Sequence, residues 1–276
     1  MTRPFMTARW INLGIITYAV SPHLLAQRVP PGLELDLVDG QAFVSLVAFD
    51  FRDTRVLGIR WPGYRSFPEL NLRYYVRRGR ERGVVFLREF VGLHLVSWIA
   101  RNVFNENYRV TPVFSTTAET ADELMMELEL SWRRQRHRVA LAGSKPALVP
   151  SRSSMAHYFT ELRWGFGIDR QGQMIQYEVR HPPWQVYPVR SCCVDLDWGE
   201  VYGAEWRFLN NQRPCCTVLS PGSEVRVYPR ADSNGKPSAN EPLPLSAFRG
   251  GVLPIRTSKS GSVHAGKTTE MCSPAR

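Results

Sequence analysis

A mostly β chain of the α+β class, built as a barrel or double sheet with two or three peripheral helices, follows from three features of the sequence. Leu124 to Trp132 alternates without a break, with Leu124, Met126, Leu128, Leu130 and Trp132 opposite Met125, Glu127, Glu129 and Ser131. That is the period of a half-buried strand. Gln41 to Phe51 is apolar on both faces, as a strand in the middle of a sheet must be. Strand-like runs also follow one another without the regular intervening helices of a doubly wound fold, and no segment repeats.

In chain order, residues 1–9 read as a short disordered lead and Trp10 to Val20 as a strand. This strand is far shorter than the ~20 apolar residues that span a bilayer. Arg3 and Arg9 precede it, but no small-residue cleavage site follows, so a buried strand is preferred over a signal peptide. Ser21-Pro22 opens a short helix, serine as cap and proline at the first helical position, and Pro30-Pro31-Gly32 ends it. Glu69 to Arg77 and Val84 to Val91 are strands joined through the charged turn at residues 78–83. Leu93, Val96, Ile99, Ala100 and Val103 recur at helical spacing, which predicts an amphipathic helix over 93–104. Val110 to Thr116 returns to strand, and Leu124 to Trp132 pairs with Gln135 to Leu141 as a hairpin. A helix capped by Ser153 or Ser154 is expected over 155–162. Gln173 to His181, Gln185 to Leu196 and Glu224 to Tyr228 complete a single domain over 10–230. From Arg230 onward Gly, Pro, Ser, Asn and Lys dominate, and residues 231–276 are expected to be a disordered basic tail.

The charge and cysteine patterns narrow the function classes. The net charge is +10, and the 35 basic residues include only four lysines. The arginines are scattered, often beside acids as in Arg80-Glu81-Arg82, which argues for a solvated surface over a nucleic-acid footprint. The densest cluster, Arg133, Arg134, Arg136 and Arg138 around a hairpin tip, lacks any accompanying nucleic-acid motif. Cys192-Cys193, Cys215-Cys216 and Cys272 match no zinc spacing, and their odd number argues against a disulfide framework. Free thiols in a cytoplasmic protein are the expectation, with a bridge between the two pairs only if their strands were neighbours. His94, His137 and His157 have no metal-ligand spacing, so no metal and no cofactor are expected.

Two stretches carry the candidate chemistry. The strand 69–77 sets Glu69, Asn71, Arg73, Tyr75 and Arg77 on one face, with Leu70, Leu72, Tyr74 and Val76 on the other. The polar face either meets water or lines an interior, in which case Glu69 and Arg73 would pair and a guanidinium would suit an anionic or carbonyl ligand. His181-Pro182-Pro183-Trp184 ends another strand on an imidazole and an indole. The ring is either satisfied by backbone in a stiff turn or faces a cavity as an acid or base.

These residues, with Tyr18 and Pro22, Val29-Pro30-Pro31-Gly32-Leu33-Glu34, Gly83-Val84-Val85-Phe86 and Ala100-Arg101, resemble the YqjF-like family, domain of unknown function 2071, over about residues 7–230. That family is in turn distantly similar to acetoacetate decarboxylase. The resemblance implies a closed β-barrel around a small cavity, with Glu69, Asn71 and Arg73 turned inward. Arg101, Tyr108, His181 and Trp184 are then site companions, and Phe49, Phe51 and Phe86 apolar lining. In acetoacetate decarboxylase a lysine forms a Schiff base with the substrate. The corresponding motif here is Ala100 to Arg109, which places Tyr108 at the nucleophile position. A phenol cannot form an imine, so Schiff-base decarboxylation is not expected. Three functions stay open: a cytoplasmic pocket protein for a keto or hydroxy acid, a lyase or isomerase using Tyr108 or His181 as acid or base, and a scaffold for polyanionic partners. None requires a membrane, and each is compatible with a homo-oligomer.

Overall fold

The computed structural model describes residues 3–60, 65–93, 107–169 and 171–228. All of these belong to one compact unit, Met1–Pro237; the second unit, Ser238–Arg276, lies outside the described residues, as do the expected tail and most of the expected 93–104 helix. The strands are β1 (Met6–Val20), β2 (Glu34–Leu35), β3 (Ala42–Val56), β4 (Phe67–Arg78), β5 (Glu81–Val91), β6 (Tyr108–Val110), β7 (Val113–Glu119), β8 (Glu123–Trp132), β9 (Gln135–Ser144), β10 (Trp164–Ile168), β11 (Met174–Arg180), β12 (Val189–Asp195) and β13 (Cys216–Val227). Among the described residues three short α-helices, α1 (Pro22–Ala26), α2 (Met155–Thr160) and α3 (Trp198–Val201), and a 3-10 helix over Ala204–Asn211 connect them.

The larger sheet has the order β2-β4-β3-β1-β13-β11-β10-β5-β6, and β4 also pairs with β5. That second pairing makes the hydrogen bonding run round a ring: β4, β3, β1, β13, β11, β10, β5 and back to β4. The ring is thinnest between β11 and β13, where only Val179↔Val227 and Arg180↔Arg226 are in register. A four-stranded sheet, β12-β9-β8-β7, lies over one wall. A ring-like sheet and a second sheet covering it are therefore both present, because the outer face of the ring is apolar enough to need a cover. Leu46, Leu70, Leu72 and Tyr74 share one core with Met126, Leu128, Leu130 and Leu141. The two layers approach closely at Gly14, where a Cβ would fall 2.8 Å from Leu141 Cδ1 and 3.0 Å from Met126 Sδ.

Departures from the sequence reading have local causes. β1 begins at Met6 rather than Trp10, since Met6 pairs with both Val56 and Val227 and the Phe5 N–H donates to Val227 O. The expected disordered lead is thus ordered from Phe5 onward. β13 begins at Cys216 although Ser220-Pro221-Gly222-Ser223 reads as a turn; Gly222 adopts φ +80 opposite Ile11, where β1 bulges at Asn12. The bulge is pinned by Asn12 Nδ2, which donates to Thr117 Oγ1 at 2.9 Å. β10 and the helices at 198–211 were not anticipated. α2 starts at its serine cap as expected, Ser154 Oγ accepting from the His157 N–H at 3.2 Å. Cys192, Cys193, Cys215 and Cys216 are free thiols, and β12 and β13 lie in different sheets. Burial pushes the Cys192 and Cys216 thiols up to about 11.

Candidate functional site

The inward face of β4 carries Glu69, Asn71 and Arg73, all buried. On β3 their cross-strand partners are Phe49, Val47 and Ser45; on β5 they are Val91, Glu89 and Phe86. The cavity they enclose has a volume of about 150 Å³. Glu69, Asn71, Arg73, Tyr108, His181 and Trp184 all line it, as do Phe49, Phe51 and Phe86. Arg101 lies outside the described residues.

Glu69 is the centre of the polar group. Its Oε1 accepts from Asn71 Nδ2 and its Oε2 from the Tyr108 hydroxyl, both at 3.0 Å. Burial pushes the carboxyl up to about 7, against the opposing pull of those two hydrogen bonds. Arg73 is not its partner, contrary to expectation. Four residues along a strand separate two side chains by about 13 Å. The Arg73 guanidinium instead donates from Nη2 to Phe159 O at 3.2 Å and lies 5.8 Å from the Tyr75 ring centroid. Beneath it Tyr75, Ser45 and Thr17 link their hydroxyls in a chain. Several buried polar atoms on the cavity wall have no hydrogen-bond partner among the described residues: Arg73 Nε, Asn71 Oδ1, Thr54 Oγ1 and Trp10 Nε1.

Trp184 is buried and anchored, its Nε1 donating to Ser223 Oγ at 2.8 Å. His181 stacks on it with ring centroids 4.1 Å apart and planes 15° apart. His181 Nδ1 lies 2.9 Å from Pro182 O. A carbonyl can only accept, so Nδ1 carries the proton and Nε2 is the basic nitrogen. One ring nitrogen of His181 is thus satisfied by backbone, and the residue lines the cavity. Nearby, Arg163 and Arg180 bracket Glu178. Burial alone would raise Glu178, but hydrogen bonds from Arg180 and Arg163 hold it below the usual range.

Sequence reasoning missed Glu89, which is buried in the cavity wall and pairs in register with both Asn71 and Tyr108. Strict alternation from Val84 and Phe86 would turn Arg88 inward. The register of β4 and β5 jumps between Leu72 and Arg73, leaving Leu87 as an extra residue. Glu89 therefore faces in, and Arg88 reaches outward to Val201 O. Trp10 and Thr160, which also line the cavity, were missed too. Lys145, the only lysine among the described residues, pairs with Glu119 at 2.6 Å, and the cavity wall contains no lysine among those residues. At the β8–β9 tip Arg133 pairs with Glu200 and Arg138 with Glu127. Among the described residues no cluster of three metal-ligating side chains occurs, and no helix is long and apolar enough to cross a membrane.

Residues 7–224 match the family model of the uncharacterised conserved proteins designated DUF2071. The chain belongs to this family. The DUF2071 protein is 26% identical over 183 residues to the uncharacterised protein YqjF of Bacillus subtilis, covering 65% of this chain and 74% of that one. Its fold is that of acetoacetate decarboxylase-like structures. An acetoacetate decarboxylase-like enzyme from Sphingomonas wittichii superposes with a TM-score of 0.57 at 10% identity, covering 82% of this chain and 93% of that one. The acetoacetate decarboxylase of Legionella pneumophila gives 0.53 at 16% identity, over 83% and 86%. The enduracididine biosynthesis enzyme MppR, complexed with pyruvate, gives 0.54 at 13% identity, over 83% and 88%.

Proposed function

We propose that this DUF2071 protein is a cytoplasmic binding protein for a small carboxylate- or carbonyl-bearing metabolite, held in the ring cavity without a Schiff base. The reading rests on Arg73 Nε and Asn71 Oδ1, buried in the cavity wall and unpartnered among the described residues. Each such group left unmade costs about 1–3 kcal/mol, a debt that a ligand with complementary groups removes. Arg73 grips the anion, Asn71 and Glu69 orient it, and Tyr108 contributes a hydrogen bond. Trp184 and His181 form apolar wall with a basic nitrogen beside it. The pyruvate in MppR supports a keto acid by analogy of fold. Tyr108 stands at the position that the family resemblance assigns to the decarboxylase lysine, and among the described residues no lysine lines the cavity to form an imine. Isothermal titration with pyruvate, lactate and their larger homologues tests the reading. Binding that Arg73→Ala weakens at least tenfold, with a native thermal transition retained, supports it. No response to any carboxylate across such a panel removes it.

The near-neutral carboxyl of Glu69 favours a second reading, proton transfer by Glu69 with Tyr108 or His181 in a lyase- or isomerase-type reaction. Such an enzyme would lose turnover in Tyr108→Phe while keeping ligand affinity. Solvent deuterium exchange into a bound keto acid, measured by proton NMR, separates it from simple binding.

A further inference from the structure

The cavity is two-sided. Its buried carboxyls, amide, guanidinium and phenol come from β4, β5 and β6, whereas the wall built from β1, β3 and the start of β4 is mainly aromatic, with Thr54 and the Trp10 indole N–H as its polar points. Trp10 and Phe49 lie 5.0 Å apart between ring centroids, Phe49 and Phe51 5.0 Å, and Phe51 stacks on Phe67 at 4.6 Å. Phe49 is the direct cross-strand neighbour of Glu69, so the two halves meet at one pair of residues. A three-carbon acid would occupy the polar half and leave this wall bare.

The polar half specifies the head group. The Asn71 amide donates its nitrogen to Glu69 Oε1, which leaves Oδ1 as an acceptor without a donor among the described residues. Two residues further along the same face, Arg73 Nε is a donor without an acceptor among the described residues. A bare carboxylate satisfies Arg73 alone. A carboxylate with a hydroxyl beside it satisfies both.

We propose that the ligand is an aryl-substituted hydroxy acid, with one aromatic ring among Trp10, Phe49, Phe51 and Phe67, its carboxylate on Arg73 and its hydroxyl donating to Asn71 Oδ1. This rests on the reading of the cavity as a metabolite site and narrows the class of metabolite.

Isothermal titration of the full chain with three probes tests it: lactate, 3-phenyllactate and 3-phenylpropionate. The first pair differs by the ring, the second by the hydroxyl. Phenyllactate is expected to bind at least tenfold more tightly than either of the others, about 1.4 kcal/mol for each comparison. Asn71→Leu should erase the preference for phenyllactate over phenylpropionate. If that variant does not fold, the comparison of the two ligands on the unaltered chain decides the point. Lactate binding as tightly as phenyllactate overturns the aryl assignment and leaves the metabolite site standing. Phenylpropionate binding as tightly as phenyllactate overturns the hydroxy acid. No binding of these three, nor of any short keto acid, removes both readings together.

Discussion

Glu69 carries more of the chemistry than any other side chain, and its ionisation is coupled to stability. Its folded-state pKa of about 7 lies above the ordinary 4.5. The folded chain thus holds a proton that the unfolded chain has released, so the stabilisation is complete below pH 4.5 and is lost as pH rises through 7. Linkage puts the change on the order of 3 kcal/mol. Urea denaturation from pH 4.5 to 8 should show this decline, and Glu69→Gln should flatten it. Tyr108→Phe removes one of two donors that favour the carboxylate. The Glu69 titration, followed by carbon NMR of labelled glutamate, should then move to higher pH, with a loss of about 1–3 kcal/mol in stability at pH 8.

At the level of elements, the β8–β9 hairpin turns on two arginines in the left-handed region, Arg133 at φ 48 and Arg134 at φ 68. A two-residue turn of this hand suits Asn-Gly, and an L side chain there costs about 1–2 kcal/mol. The exposed Arg133–Glu200 pair contributes less, about 0–1 kcal/mol. Arg133→Asn with Arg134→Gly should therefore raise stability by about 1 kcal/mol, read as a higher urea midpoint at unchanged m-value. The hairpin itself was legible because its alternation is unbroken from Leu124 onward and the turn needs no long-range partner. Elements whose form depends on a distant chain were not. β10 is Trp164-Gly165-Phe166-Gly167-Ile168, and its glycines read as loop; yet a Cβ on Gly165 would fall 2.2 Å from the Tyr177 ring of β11. The β5 bulge that turns Glu89 inward depends on register with β4, which no local pattern encodes.

At the scale of the molecule, the ring and the four-stranded sheet share one core, to which the outer face of β4 contributes beside β1 and β3. Leu72 is fully buried on its outer face, packed in the core shared with β8 and β9. Leu72→Ala should cost about 2–5 kcal/mol by leaving a cavity there, measured by urea denaturation. Because the site lies on the opposite face of the same strand, ligand affinity in the folded fraction should change far less than stability. Composition and period alone determined the mostly β class, most of the strands, the polar row at Glu69, Asn71 and Arg73, and the scarcity of lysine. They could not say which face of β4 turns inward. Both faces are buried, and a period of two looks the same whether its polar side meets water or a cavity. Only pairing between distant strands, β1 with β13 and β10 with β5, closes the ring and so makes Glu69 an interior carboxyl.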